Sequence, residues 1–341
     1  MTIDVLFTGG TIGCTLKENT LSPEDQCGSL LIRKCKTEYP ELCEGVTFRE
    51  SYPLNLLSEN MQKQDLLTLI TTVRKMMDHS EGIIITHGTD TLSDTANLLS
   101  LFLAGSRVPI VLVSSLYPLT DSRNNGVVNF AAAVRFLTRS AVLPGVFVSF
   151  LDRTSDPLGA GLPMPACRIR RPDDYSGIFT IYGADRPRPT VDELTADRPR
   201  PTADKPTAGN PFTGIDDRIL VLQARSLLRF DLYSFTEKNK PHAVVVELYH
   251  SGTVCTVGDK TNLLSFAEYC KNLDIPVILS PVLRLNTLYA SATGLGKSCI
   301  LSYDQSFEMT VAKVMAALGS GLDLQTVLDT DYCGEHLLMP F

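Results

Sequence analysis

Short runs of apolar residues alternate along the chain with longer segments in which apolar positions recur every three or four residues. Val5–Thr8, Gly82–Thr86, Val108–Val113 and Gly145–Phe150 are apolar on both faces, as buried parallel strands are. Between them, Asn60–Met77 carries Met61, Leu66, Leu69, Ile70, Val73 and Met77 at helical spacing, with Ser58 placed to cap it. Asp94–Ala104, closed by Gly105, and Val127–Leu137 read as two further helices. The alternation predicts an α/β fold with right-handed crossovers. A second stretch repeats the rhythm, with strands over Ile219–Gln223, Ala243–Leu248 and Val277–Ser280 and helices over Leu263–Asn272 and Phe307–Leu318.

The pattern breaks over 184–209. ADRPRPT occurs at Ala184–Thr190 and again at Ala196–Thr202, and Ala203–Thr207 is a degraded third copy. Proline at this density continues neither a helix nor a central strand. An extended linker is the expectation, with a docking segment for a partner domain as the minor alternative. The expected organisation is an N-terminal α/β catalytic domain over 1–183, a Pro-rich linker over 184–214 and a smaller C-terminal α/β domain over 215–341.

Composition narrows the function. The 341 residues are 44% hydrophobic and 20% charged, with a net charge of −7. That balance argues against nucleic acid or an anionic membrane as partner, and no apolar run approaches the roughly 20 residues of a membrane span. The start, MTIDVLFTGGTIG, lacks the charged and apolar regions of a secretory signal, so a cytoplasmic location is expected. Nine cysteines without a CxxC spacing, five histidines and no HExxH favour reduced thiols and no metal.

Three loops carry candidate chemistry. Thr8-Gly9-Gly10-Thr11-Ile12-Gly13 follows the first strand, and its glycines permit a tight turn that projects the Thr11 hydroxyl. It is not a dinucleotide fingerprint, since GxGxxG is absent. Thr86-His87-Gly88-Thr89-Asp90-Thr91 sets a hydroxyl beside a carboxylate at a strand end, though Asp90 or Ser93 can equally be a helix cap and His87 a structural histidine. Leu57-Ser58-Glu59-Asn60 is a helix cap or a grip for a small zwitterion.

TGGTIG followed by HGTDTL, with SENM at Ser58–Met61 between them, resembles the L-asparaginase family of bacterial-type, threonine-dependent amidohydrolases. The resemblance covers the N-terminal domain and continues loosely to Tyr249-His250-Ser251-Gly252-Thr253. It implies a flavodoxin-like N-terminal domain, a parallel sheet with helices on both faces, beside the smaller C-terminal domain. It implies a free amino acid with a side-chain amide, L-asparagine or L-glutamine, as substrate, with no cofactor. Thr11 would be the nucleophile that forms an acyl-enzyme; Thr89 would hold the water, and Asp90 would bind the α-amino group. Ser58 and Glu59 would grip the ends of the amino acid, and Gly10 and Gly88 would line the site. It further implies a homodimer or homotetramer in which a neighbour's C-terminal domain completes the site.

Two departures stand out. The family pattern places a lysine near the second threonine, yet 139–204 contains none, and Arg168 is the nearest positional candidate. Arginine supplies charge and hydrogen bonds but does not deprotonate near neutral pH; an ordinary ion pair is its alternative role. The family's lid tyrosine is also missing from Cys14–Leu31. The proton acceptor for Thr11 is therefore unassigned. A glutaminase, an ammonia-supplying chain of an amidotransferase and a non-catalytic amino-acid-binding relative stay open beside the asparaginase.

Overall fold

The computed structural model describes residues 1–17, 20–23, 27–140, 142–150, 163–172, 177–183, 210–284 and 289–337. The Pro-rich repeat of 184–209 lies outside them. The chain folds as two compact units, Met1–Pro211 and Phe212–Phe341.

In the first unit the strands are β1 (Thr2–Phe7), β2 (Cys14–Lys17), β3 (Thr20–Pro23), β4 (Thr47–Ser51), β5 (Gly82–Thr86), β6 (Pro109–Val113), β7 (Gly145–Ser149), β8 (Met164–Pro165), β9 (Ile169–Arg170) and β10 (Thr180–Ile181). The helices are α1 (Cys27–Glu38), α2 (Pro40–Cys43), α3 (Lys63–Met76), α4 (Leu92–Phe102) and α5 (Gly126–Leu137). The main sheet runs β4-β1-β5-β6-β7-β8, parallel throughout except for the antiparallel β7–β8 pair. Its five parallel strands are thus ordered second, first, third, fourth, fifth along the chain, which is the flavodoxin-like order. β2 and β3 form a separate hairpin, as do β9 and β10.

Every residue of β5 is buried, because helices cover the sheet on both faces. On one face Ile3, Val5, Ile84, Val111 and Phe147 pack with Leu31 and Ile32 of α1 and Val127, Phe130 and Val134 of α5. The alternate residues Ile83, Ile85, Ile110 and Leu112 point the other way, as a strand's period of two requires, and are equally buried. Pro109 opens β6, where its missing N–H costs no ladder bond.

The second unit has a parallel sheet in sequence order, β11 (Ile219–Gln223), β12 (Ala243–Glu247), β13 (Val277–Val282) and β14 (Ile300–Tyr303). Its helices are α6 (Leu263–Lys271), α7 (Leu295–Ser298), α8 (Phe307–Ser320) and α9 (Leu324–Asp329). Val244, Val246 and Leu279 face α6, while Val245 and Ile278 face α8 and α9. Residues 210–214, expected in the linker, are bonded into their own units: Asn210 Nδ2 donates to Leu101 O at 2.7 Å, and Ser320 Oγ accepts from Thr213 N at 2.9 Å.

One local expectation is corrected. Ser58 does not cap α3. It opens a separate 3-10 turn, Ser58–Asn60, and α3 starts at Lys63 behind Gln62. Gln62 and Asp65 close a reciprocal capping box that satisfies two free N–H groups, which a lone serine four residues upstream does not.

Candidate active site

In an open sheet of this order, ligands bind beyond the carboxyl ends of the strands where the winding reverses. That point lies between β1 and β5. The first two hydroxyl-bearing loops leave these two strands, and the third comes from the connection after β4.

The loops touch through their backbones. Gly9 and Gly10 hold φ of 98° and 73°, a region that favours glycine. A Cβ on Gly9 would stand 2.3 Å from Leu56 O, and one on Gly10 would stand 2.3 Å from Gly88 N. A Cβ on Gly88 would in turn meet Ser58 Oγ at 2.3 Å. Glycine is required at all three positions for the loops to close on one another.

Hydrogen bonds fix this contact. Gly10 N donates to Leu56 O at 2.9 Å and Leu56 N to Thr8 O at 3.1 Å. Thr8 Oγ1 donates to Thr86 O at 2.6 Å, joining the ends of β1 and β5. Thr91 Oγ1 donates to Ser58 O at 3.0 Å, joining the second loop to the third. His87 N donates to Val113 O, and Ser114 Oγ to His87 O, so the second loop is also tied to the end of β6.

Against this frame the expected site residues fall into two groups. Gly10, Gly88 and Ser58 are in direct contact. Thr11, Thr89 and Glu59 each follow one of them by a single residue, and Asp90 follows Thr89. Thr11 is half-buried at the start of the 3-10 turn Thr11–Gly13, anchored by the buried Ile12. Thr89 is half-buried, while Asp90 and Glu59 are exposed. Neither threonine hydroxyl has a partner among the described residues. Arg168 belongs to the 3-10 turn Ala166–Arg168, which leads into β9 and lies against α4, the helix that follows the Thr89–Asp90 loop.

The capping alternatives do not account for these polar groups. Thr91, not Asp90 or Ser93, is the residue before α4, and it makes no side-chain cap hydrogen bond. Ser58 is 4% exposed, yet its Oγ has no hydrogen-bond partner among the described residues. Such a buried hydroxyl costs about 1–3 kcal/mol unless something else bonds to it. His87 is fully buried, and its Nδ1 lies 2.8 Å from Gly88 O, so Nδ1–H donates and Nε2 is left as an acceptor. Burial pushes its pKa down, against the opposing pull of the Gly88 carbonyl, so the ring is neutral. The Cys14 thiol donates to Gly10 O at 3.1 Å and so supports the turn.

Leu56 and Asn97 escaped the sequence reading. Only Asn97 left a signal there, as a lone amide within the apolar run of α4. No cluster of three metal-binding side chains occurs among the described residues, and no helix there is long and apolar enough to cross a membrane.

Residues 2–171 match the family described as asparaginase, N-terminal. An L-asparaginase of Thermococcus kodakarensis is 32% identical over 157 residues, 45% of either chain. A glutaminase-asparaginase of Pseudomonas fluorescens is 32% identical over 151 residues, 43% of this chain and 41% of its own length. One component of the glutamyl-tRNA(Gln) amidotransferase of Methanococcus maripaludis is 32% identical over 157 residues, 36% of its length. The chain thus spans less than half the length of these curated relatives. The fold likeness extends further. The thermostable L-asparaginase from T. kodakarensis superposes over 99% of both chains with a TM-score of 0.73 at 24% identity. L-asparaginase I from Vibrio cholerae does so over 99% of both with a TM-score of 0.71 at 19% identity.

Proposed function

We propose that this chain, which belongs to the asparaginase family through its residues 2–171, is an amidohydrolase that converts L-asparagine and water to L-aspartate and ammonia. The observation that carries this reading is the contact of Gly10 with Gly88 and of Gly88 with Ser58 at the switch point of the sheet. It brings hydroxyl-bearing loops remote in sequence to one place, where a single small substrate can meet all of them.

In this reading the Thr11 hydroxyl attacks the side-chain amide carbon, the amide nitrogen leaves as ammonia, and a threonyl ester remains. Water held by Thr89 then cleaves the ester. Splitting the reaction in this way replaces one difficult step with two easier ones. Asp90 and Glu59, both exposed carboxylates, pair with the substrate ammonium, and the unpartnered Ser58 hydroxyl donates to its carboxylate. Fixing both ends sets the amide carbon at one position. Backbone N–H groups of the tight turns serve the developing oxyanion. Arg168 contributes charge, not proton transfer. A cytoplasmic homodimer or homotetramer completes the proposal.

Ammonia release from L-asparagine and L-glutamine by purified protein, between about pH 6 and 9, tests it. Turnover of asparagine is the expected result. Glutaminase activity, or ammonia supply to a partner enzyme, would appear as a preference for glutamine. Silence on both amides would reject catalysis. The lysine-free stretch 139–204 favours one further reading, a binder of free amino acids without turnover. Thermal stabilisation by aspartate with no ammonia produced would identify it.

A further inference from the structure

Asn97 is fully buried in the second turn of α4, among Ala96, Leu98 and Leu99. A primary amide placed there loses its water and must replace those hydrogen bonds. Its Nδ2 does so twice. It donates to Ser93 O at 2.8 Å on its own helix, and to Ile169 O at 2.9 Å, 72 residues further along the chain. The first bond sets the orientation of the amide; the second reaches the segment that carries Arg168, Arg170 and Arg171. Ile169 is itself fully buried, and the Arg168 carbonyl before it accepts from Tyr182 N at 2.7 Å. At its other end α4 begins directly behind Thr89-Asp90-Thr91. One side chain therefore joins the helix that follows the Thr89–Asp90 loop to the arginine-bearing turn.

An arginine stays charged at any working pH, so it acts on a reaction only through its field and its hydrogen bonds. Both depend on where it sits, and a misplacement of about 1 Å can cost about a hundredfold in rate. A permanently charged group in this role needs a rigid mount. We propose that Asn97 is that mount: a positioning residue that fixes the Arg168 segment in register with the Thr89–Asp90 loop. The inference rests on the amidohydrolase reading and on Arg168 acting in it.

The test is a double-mutant cycle of Asn97→Leu, of similar size but without donors, and Arg168→Ala, assayed on L-asparagine below the melting temperature. The expected result is a fall in kcat of about tenfold or more for Asn97→Leu, with KM held within about twofold. In the Arg168→Ala background the same substitution should cost less than about a further twofold, because the mount then holds nothing. A merely structural amide would lower the melting temperature and leave kcat of the folded enzyme alone. Retained kcat, an Arg168→Ala variant with wild-type activity, or fully multiplicative losses would each overturn the inference. Should Asn97→Leu fail to fold, Asn97→Ala, smaller and equally without donors, is read in the same cycle against the same criteria. Wild-type silence on both amides would remove the amidohydrolase reading and this inference together, whereas an active wild type with an indifferent Asn97 removes the inference alone.

Discussion

Ser58 illustrates how a single residue can be costly to the fold and useful to the site. Its hydroxyl is buried without a partner among the described residues, so Ser58→Ala should leave the melting temperature unchanged or slightly higher, by up to about 1 kcal/mol in stability. The same change should raise KM for asparagine about tenfold or more, and thermal denaturation beside steady-state kinetics reads both effects. The glycines carry a graded expectation. Gly10→Ala meets backbone at Gly88 and takes an unfavourable φ, whereas Gly88→Ala meets the Ser58 side chain. Both should lose activity, and Gly10→Ala should be the less stable, by about 1–3 kcal/mol relative to wild type in urea unfolding. Thr11→Ala should lower kcat by at least about a thousandfold while an aspartate-induced thermal shift persists. The hydroxyls and glycines were legible because their motifs are contiguous. The error over Ser58 arose because a serine before an apolar periodic run is also what a helix cap looks like. Asn97 stayed hidden because its partner, Ile169, is set by tertiary packing and not by spacing.

Among the elements, those with many buried positions were the readable ones. β5, β6 and β12 are continuous apolar runs, and α3, α4, α5 and α8 carry long periodic stripes. β8, β9 and β10 have two residues each, too few to show any period. α1 was missed for a different reason. It opens with Cys27-Gly28-Ser29, weak helix formers, and its tertiary setting decides its conformation. Gly28 lies so close to β1 that a Cβ there would stand 2.7 Å from the Phe7 ring and from the Tyr52 hydroxyl. The start of α3 supplies an element-level prediction. The Gln62 backbone N–H donates to Asp65 Oδ2 at 2.9 Å within the capping box. Asp65→Ala should cost about 1 kcal/mol in urea unfolding without changing kcat, which would confirm that the helix start and the Ser58 turn are separate devices.

For the molecule as a whole, its two-sheet α/β class and the parallel character of the sheets followed from the residue pattern, whereas the flavodoxin-like strand order of the first unit was implied only by the family resemblance and the order in the second unit came only with the structure. The Pro-rich repeat, the plainest feature of the sequence, lies outside the described residues. The second unit contains a buried ion pair that no motif announced. Lys313 Nζ and Glu335 Oε1 are 2.7 Å apart, and both side chains are fully buried. Lys313 also donates to Thr330 O at 2.7 Å, and Cys333 N donates to Glu335 Oε2 at 2.8 Å, so the pair fastens the segment after α9 to α8. Burial alone would push the Glu335 pKa up, but the Lys313 charge and the hydrogen bonds prevail and hold it well below the usual carboxylate range. A depressed carboxylate stabilises the fold fully above its unfolded value near 4.5, and that contribution is lost as pH falls toward the folded value. Lys313→Met should therefore destabilise by about 3–5 kcal/mol at neutral pH, since it strands a buried charge. Its deficit against wild type should shrink on acidification, as unfolding titrations at a series of pH values would show.

The meeting of Gly10 with Gly88 has a consequence beyond assembling the loops. Each threonine sits one residue beyond that joint, so the spacing between the two threonine backbones is governed by main chain pressed on main chain. Side chains around them can be exchanged over evolutionary time without prising the pair apart. Under the proposed amidohydrolase reading, the freedom to acquire a new amide substrate would then reside in the exposed carboxylates Glu59 and Asp90, while the inner pair keeps its gauge.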